Sequence, residues 1–287
     1  MPTTPVSANV IRYAAFTDDP GGGNPAGIVL DASSLDEQRM LEVAREVGYS
    51  ETAFLRPRFD ASGEYDVRYF SPEAEVPFCG HATVAAGVAL TERDGPGELV
   101  FHVRAGRVPV RTRRDASGVA TASLTSVQPY VEEAGDGAVD EALDALRWRR
   151  DELDPELPPR IAFAGARHLI LAAATRRRLA ALDYEFDRLK GLMLELDLTT
   201  VDLVWRERDD LYHVRNPFPV GGVYEDPATG AAAAAFGGYL RALGLVATPA
   251  RVSVLQGQDM GRPSLIVVDI GSGDGGITVT GGAVPIA

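Results

Sequence analysis

Residues 76–90 read Val76-Pro77-Phe78-Cys79-Gly80-His81-Ala82-Thr83-Val84-Ala85-Ala86-Gly87-Val88-Ala89-Leu90. From Gly80 onward the residues are small or apolar on nearly every helical face, which is typical of a helix buried on all sides. A second stretch of this kind, Ala231 to Leu243, follows Glu225-Asp226-Pro227-Ala228-Thr229-Gly230. The sequence therefore predicts two buried central helices, each entered through a glycine.

The two helices belong to a longer repeated pattern. A shift of 150 positions places Gly80 on Gly230, Ala82 on Ala232, Ala85 on Ala235, Gly87 on Gly237 and Leu90 on Leu240. The predicted flanking elements also recur in order: amphipathic helices at Leu35–Val47 and Phe186–Leu196, and strands at Thr52–Leu55, Tyr65–Phe70, Val201–Arg206 and Leu211–Val214. This order predicts an internal duplication.

We assign residues 1–127 to an N-terminal half and 128–287 to a C-terminal half, whose last strand is expected to pack back on the first half. The acidic, proline-bounded segment Val131–Asp154 is interpreted as the connection between them. In the first half, Ser34 is the expected N-cap of the Leu35–Val47 helix, with Glu37 three residues later, and Gly48 its end.

Composition excludes several classes of function. A net charge of −13 disfavours nucleic-acid binding, which needs clustered lysine and arginine. One cysteine permits no internal disulfide and fits a reducing cytoplasm. The first ten residues lack a signal-peptide pattern, and no run of about 18 apolar residues predicts a membrane span. No metal site is predicted, because His81, His102, His168 and His213 are far apart in the chain and lack ligand spacing.

The starts of the two helices are candidate anion sites. The first N–H groups of a helix lack internal partners and carry partial positive charge, so Gly80 and Gly230 would let a carboxylate approach the backbone. The alternative is that both are core helices whose small residues only allow close packing.

Reactive side chains stand beside these helix starts. Glu51 leads into the apolar strand Thr52–Leu55, where lost hydration would favour a protonated carboxyl group and suit proton transfer. Cys79 and His81 flank Gly80, and Asp226 precedes Gly230. Each has a plainer alternative: Glu51 an exposed strand-end charge, Asp226 a helix cap, His81 a structural histidine and Cys79 a buried filler.

Five separated motifs resemble those of the phenazine-biosynthesis PhzF family. They are Tyr13-Ala14-Ala15-Phe16-Thr17-Asp18 with Gly23-Asn24-Pro25-Ala26; Ser50-Glu51-Thr52-Ala53-Phe54; Arg68-Tyr69-Phe70-Ser71-Pro72 with Val76-Pro77-Phe78-Cys79-Gly80-His81-Ala82-Thr83; Glu225-Asp226-Pro227-Ala228-Thr229-Gly230; and Gln256-Gly257 with Gly261-Arg262-Pro263-Ser264. They span positions 13 to 264 in the family's order.

The resemblance implies an α/β (α+β) fold of the diaminopimelate-epimerase-like type. Such a fold has two pseudo-symmetric halves, each with a curved, mostly antiparallel sheet around a central helix, and an active site in the cleft between halves. It also implies a cofactor-independent isomerase without metal, commonly a homodimer, acting on a small carboxylate-bearing substrate. By motif position Glu51 matches the acid/base residue, and His81 and Asp226 match residues that hold substrate and assist proton movement. The positions expected to contact substrate are Cys79, Gly80, Thr229, Gly230 and Ala231.

Two departures from the family pattern bear on function. Ala231 stands where the phenazine enzymes carry a substrate-contacting serine, which argues against their substrate. The single cysteine excludes a two-cysteine racemase but leaves a mixed pair of Cys79 with Asp226 or Glu51. The sequence thus predicts an isomerase, with two alternatives: an amino-acid epimerase using Cys79 as a base, or a catalytically silent binding protein on the same fold.

Overall fold

The computed structural model describes residues 9–59, 61–116 and 118–287. The chain forms two compact units, Met1–Thr125 with Thr280–Ala287, and Ser126–Val279. The predicted division falls after residue 127. Residues 1–8, on which the signal-peptide prediction largely rests, lie outside the described ranges. Within these ranges we find no helix with the length and apolar character needed to cross a membrane.

The first unit combines a mixed sheet with two helices. In chain order its elements are β1 (Ile11–Ala15), β2 (Asn24–Val29), α1 (Glu37–Val47), β3 (Glu51–Pro57), β4 (Glu64–Phe70), β5 (Glu75–Val76), α2 (Gly80–Asp94), β6 (Glu98–Val103), β7 (Gly106–Arg114) and β8 (Ala120–Thr125). β2 runs parallel to β3 and β4 parallel to β6, whereas β1–β2, β3–β4, β4–β5, β6–β7 and β7–β8 are antiparallel.

The second unit has more helices. Its elements are β9 (Tyr130–Glu133), α3 (Asp136–Leu146), β10 (Arg160–Phe163), β11 (Arg167–Ala172), α4 (Arg176–Ala180), α5 (Phe186–Glu195), β12 (Thr200–Arg208), β13 (Leu211–Arg215), α6 (Gly230–Ala242), β14 (Ala250–Gln256) and β15 (Ser264–Ile270). Short 3-10 helices occupy Arg150–Glu152, Pro219–Gly221 and Gln258–Met260. The last strand, β16 (Thr278–Pro285), pairs antiparallel with β1 through Ala283–Pro285.

The two units share one strand topology. From β1 to β7 the successive pairings along the sheet are antiparallel, parallel, antiparallel, parallel and antiparallel. From β10 to β15 the same series recurs. In each unit the buried helix, α2 or α6, connects the two strands of the second parallel pair. This shared plan is what an internal duplication predicts.

Small residues let the sheets pack against the central helices. α2 is buried from His81 to Thr91. A methyl group added at Gly87 would lie 3.0 Å from the Ala122 side chain, and one added at Gly237 in α6 would lie 2.8 Å from Ile277 and Val268. These distances are shorter than ordinary carbon contacts, so glycine is required where the strands approach the helices closely. The burial of both helices confirms the prediction of two buried central helices.

The beginning of α1 differs from the prediction. The helix begins at Glu37, and Asp36 is its N-cap, with its carboxylate accepting a hydrogen bond from the Arg39 N–H at 2.8 Å. The prediction of Ser34 as the N-cap was therefore wrong. Aspartate is also a strong N-cap residue, and Asp36 stands at the position from which the third helical N–H can be reached. The predicted end at Gly48 is confirmed, with φ of 71° in the left-handed region.

The segment Val131–Asp154 is not a connection. It supplies β9 and α3, and Val139, Leu143 and Leu146 on α3 are buried in the core of the second unit. These residues stand at helical spacing i, i+4 and i+7, a periodicity obscured by the acidic residues around them. Interpreting the acidity as a linker was therefore wrong, because it belongs to the solvent-facing side of an amphipathic helix.

Candidate active site

Three predicted site residues converge in the first unit. Glu51 is the first residue of β3, Cys79 is the N-cap of α2, and His81 lies in the first turn of that helix. The Glu51 carboxylate Oε2 lies 3.5 Å from His81 Nε2 and 3.6 Å from Cys79 Sγ. The thiol is also 3.4 Å from His81 Nδ1. A carboxylate, an imidazole and a thiol thus form one cluster.

The local fold explains why these side chains meet. Cys79 has an extended backbone (φ −144°, ψ 115°), and its side chain contacts Glu51 and His81 and makes no capping hydrogen bond. The Thr83 hydroxyl donates to the Cys79 carbonyl at 2.7 Å, and the Tyr69 hydroxyl lies 2.7 Å from the same threonine oxygen. These buried contacts anchor the helix start to β4.

The cluster is shielded from water but remains accessible. Cys79 and His81 are each about 7% exposed, and the Glu51 side chain is 18% exposed. The alternative of Glu51 as an exposed strand-end charge therefore does not describe the structure. A partly buried carboxylate can meet a substrate and still be sheltered from competing water, as proton transfer requires.

Asn24 is a further candidate site residue, to which the sequence assigned no role. Its buried side-chain nitrogen lies 3.2 Å from His81 Nδ1. If Asn24 donates to Nδ1, the imidazole proton resides on Nε2, the nitrogen that faces Glu51. The signal was present in the quoted motif Gly23-Asn24-Pro25-Ala26, but only the fold places β2 beside α2. The Ser50 hydroxyl lies 3.5 Å from the same Nε2.

The remaining predicted residues group at the start of α6 in the second unit. The Thr229 hydroxyl donates to the Asp226 carboxylate. Thr229 is the N-cap of α6 and makes no side-chain capping hydrogen bond, and Gly230 is the first helical residue. Ala231 follows, partly buried, and its methyl side chain has no hydrogen-bonding atom. The structure therefore places the predicted residues in two groups, one in each unit.

The C-terminal motif supports the Asp226 segment. Gln256 accepts from the Thr229 N–H at 3.0 Å and donates to the Asp226 carbonyl at 2.7 Å, and Ser264 donates to the Pro227 carbonyl at 2.8 Å. Gly257 has φ of 74°, and a side chain there would collide with the Pro227 and Arg262 carbonyls. The motif was recognisable in the sequence, but its structural role was not. In the structure it holds the loop that precedes α6.

A buried ion pair adjoins this loop. Arg215 at the end of β13 binds the Glu225 carboxylate with two nitrogens, and both side chains are less than 10% exposed. The buried ion pair fixes the position of Glu225, which is the residue before Asp226 in the chain. Asp226 itself donates its backbone N–H to the Asn216 carbonyl at 3.0 Å.

The first-unit cluster also has the composition of a metal-ligand set. One ligand atom from each of Glu51, Cys79 and His81 can be chosen so that all lie within 4.8 Å of one another. Sequence spacing predicted no such set, because 28 positions separate Glu51 from Cys79. Only the packing of α2 against β3 brings the two residues together.

Comparison with known proteins identifies relatives along the whole chain. The family model described as phenazine biosynthesis-like protein, PhzC-PhzF, matches residues 13–287. An uncharacterized isomerase of Deinococcus radiodurans is 34% identical, covering 92% of this chain and 88% of that protein. A trans-2,3-dihydro-3-hydroxyanthranilate isomerase of Pseudomonas chlororaphis is 31% identical, covering 88% and 86%.

The fold is shared with solved structures. A PhzF-family phenazine biosynthesis protein of Bacillus anthracis superimposes with a TM-score of 0.87 at 25% identity, covering 97% of this chain and 96% of that one. Together with the repeated topology, this similarity confirms the predicted epimerase-like fold with two pseudo-symmetric halves.

Proposed function

Because this chain belongs to the PhzC-PhzF family of phenazine biosynthesis-like proteins, we propose that it is an isomerase that moves a proton on a small carboxylate-bearing substrate. Glu51 is the general acid/base of this reaction. The observation that carries the proposal is the contact of the partly buried Glu51 carboxylate with His81 Nε2 at 3.5 Å, at the uncapped start of α2.

The proposed reaction is a balanced proton shift without net oxidation. Glu51 Oε2 removes a proton from a carbon next to an unsaturated or carboxyl-bearing centre, and the electron pair moves into the conjugated system. The proton then returns to a different carbon as the double bond shifts. His81 Nε2 orients the Glu51 carboxylate and shares the proton, while Asn24 holds the ring through Nδ1.

The start of α2 supports binding of the substrate carboxylate. Its first N–H groups have no intrahelical acceptor, and Gly80 has no side chain to block their approach. The nearest atom to a methyl group added at Gly80 would be in Phe78, at 4.0 Å. These N–H groups would donate hydrogen bonds to a substrate carboxylate. They would also stabilise negative charge that develops on that carboxylate during proton removal. In the second unit we assign substrate-holding roles to Asp226, Thr229 and Gly230, because α6 also begins at a glycine and its N-cap residue makes no side-chain capping hydrogen bond.

The substrate we propose is not that of the relative from Pseudomonas chlororaphis, which is a trans-2,3-dihydro-3-hydroxyanthranilate isomerase. Ala231 in the first turn of α6 has no hydroxyl to offer. A site lacking one hydrogen-bonding group selects against a ligand that needs it, since the unmatched polar group of the ligand loses its hydration. We therefore expect a less polar carboxylic acid at this position.

The reaction class is tested with the wild-type protein in deuterated water. Unsaturated, amino and hydroxy carboxylic acids are incubated with the chain, and deuterium incorporation at carbon is measured by mass spectrometry and NMR. We expect exchange with at least one acid without any added cofactor. Acids that raise the melting temperature but never exchange or convert would instead identify a silent binding protein.

A second function rests on the position of the thiol. Cys79 Sγ lies 3.6 Å from Glu51 Oε2, so both groups face the same side of a bound substrate, and the thiol is placed to act as the base that removes the proton in an amino-acid epimerisation. If Cys79 is a base, Cys79→Ser should lower kcat by about 10²-fold or more, the usual contribution of a proton-transferring group. If Glu51 acts without it, kcat should change by less than about tenfold. Measured kcat for the exchanging substrate decides between the two.

A further inference from the structure

We infer that Glu51, Cys79 and His81 form a zinc-binding site, and that Zn²⁺ bound there reversibly inhibits the protein. Binding is independent of any assigned reaction. The inhibition rests on the proposed function of Glu51. The inference starts from three side chains of different chemistry, contributed by β3 and the start of α2, that already face one another.

The separations of Glu51 Oε2 from the other two ligand atoms suit one zinc ion. Glu51 Oε2 lies 3.5 Å from His81 Nε2 and 3.6 Å from Cys79 Sγ, and the thiol lies 3.8 Å from Nε2. Tetrahedral zinc with ordinary bond lengths to sulfur, nitrogen and oxygen sets its ligands about 3.3–3.6 Å apart. The thiol also lies 3.4 Å from Nδ1, so it must move toward the Nε2 side of the ring to share a zinc ion with that nitrogen. The movement is roughly 1–2 Å for these bond lengths, within the range of a rotation about the Cys79 Cα–Cβ bond, and the fourth position remains for water.

The chemistry of the donors selects zinc over hard cations. A thiolate and an imidazole are ligands for zinc and other borderline-soft ions, whereas magnesium and calcium prefer oxygen. Thiolate and carboxylate together neutralise the charge of Zn²⁺, which offsets the unfavourable positive end of α2. The ligand atoms are shielded, with Cys79 and His81 about 7% exposed, so little solvent competes for them.

The surroundings of His81 provide the outer contact that metal-bound histidines use. When Nε2 binds a metal, Nδ1 carries a proton and needs an acceptor. Asn24 lies 3.2 Å from Nδ1, and a half-turn of its side-chain amide replaces the nitrogen donor with the oxygen acceptor. The Ser50 hydroxyl, 3.5 Å from Nε2, is near enough to contact a metal-bound water.

Metal binding and proton transfer compete for the same atom. A zinc ion on Glu51 Oε2 occupies the lone pair that would accept the substrate proton, and it displaces His81 Nε2 from that carboxylate. Inhibition should therefore be competitive with substrate and reversed by a chelator. Because the Cys79 thiol must lose its proton to bind, zinc affinity should rise with pH.

The test uses the full chain, reduced and freed of metal. Cobalt(II) is added first as a spectroscopic probe, because a thiolate ligand produces a charge-transfer band and four-coordinate cobalt produces intense visible bands. Zinc affinity is then measured by competition with a chromophoric chelator. We expect one metal per chain, and at least a tenfold loss of zinc affinity in both Cys79→Ser and Glu51→Gln.

A matched control is available in the same unit. His102 Nε2 and Glu64 Oε2 lie 2.5 Å apart and form a histidine–carboxylate pair without cysteine, since Cys79 is the chain's one cysteine. Glu64→Gln should leave zinc affinity unchanged, and circular dichroism should show that all variants are folded.

Two results would overturn the inference: a cobalt complex without the thiolate band, or zinc affinity that both site variants leave unchanged. Binding is measured without substrate, so a failure to find isomerase activity does not affect this result. Strong binding at the cluster with no effect on deuterium exchange would contradict both the inferred inhibition and the role of Glu51.

Discussion

Glu51→Gln should lower the rate of solvent deuterium exchange into the substrate by about 10²–10⁴-fold, the contribution typical of a positioned general acid or base. The substitution keeps the shape of the side chain and its place at the start of β3. It removes the group that accepts the proton and the charge that faces His81 Nε2 at 3.5 Å. Exchange is measured by NMR under saturating substrate, so that the change reports on the chemical step.

A matched substitution separates this effect from general damage. Glu64→Gln alters another partly buried glutamate that pairs with a histidine in the first unit, His102. We expect it to retain exchange within about twofold of the wild-type rate, since the Glu64–His102 pair is separate from the cluster of Glu51, Cys79 and His81. Full exchange in folded Glu51→Gln would remove the acid/base role from this residue and direct attention to Cys79.

Asp202→Asn should raise the free energy of unfolding by about 2–4 kcal/mol at pH 8. Asp202 on β12 is about 1% exposed, and its burial raises the pKa of the carboxyl group to about 7. The one hydrogen bond found for it, from the Asn216 side chain at 2.7 Å, only partly opposes this rise. At pH 8 the folded protein therefore carries an incompletely paired buried charge.

The sign follows from comparing the folded and unfolded states. The unfolded carboxyl group loses its proton near its ordinary pKa of 3.8, and the folded one near 7. The folded state thus holds the proton more tightly, so this group's destabilisation is absent below pH 4, grows between pH 4 and 7, and is constant above pH 7. The asparagine variant should lose this part of the pH dependence.

The neighbouring polar atoms favour asparagine at position 202. Asp202 Oδ2 and Asn216 Oδ1 are both buried, and the structure shows no hydrogen-bond partner for either atom. An asparagine at 202 would accept from Asn216 and donate back to Asn216 Oδ1, forming a reciprocal amide pair. The charge is removed and two unsatisfied atoms gain partners.

Chemical denaturation at several pH values measures this effect. The buried His168 complicates the wild-type profile, because desolvation lowers its pKa to about 3 and its contribution to stability is lost as the pH falls below 6.5. The difference between variant and wild type cancels that contribution. Asp210→Asn, at an exposed aspartate in the same unit, is the control and should change stability by less than about 0.5 kcal/mol. An Asp202→Asn difference that does not change with pH would contradict the account.

Much of this protein could be predicted from local sequence. The small-residue runs after Gly80 and Gly230 predict buried helices because no polar face is present, and that periodicity does not depend on the rest of the chain. Cys79, His81 and Asp226 stand out because they adjoin glycine-led helix starts, and Glu51 stands out because it leads into an apolar strand. α3 was missed because its acidic face resembles a linker, and only its packing beneath β10–β12 shows its buried residues.

By itself, the sequence determined the two central helices, the repeated order of elements and the family, and it proposed the candidate reactive residues. Only the tertiary structure decided which of them touch. The pairing of β2 with β3 and the position of α2 join Asn24, Glu51, Cys79 and His81 through contacts of 3.2–3.6 Å, although 57 positions separate the first from the last. Likewise, Gln256 reaches back 27 positions to hold Thr229. Contacts at such sequence distance depend on strand register and helix packing, which side-chain periodicity along the chain does not specify.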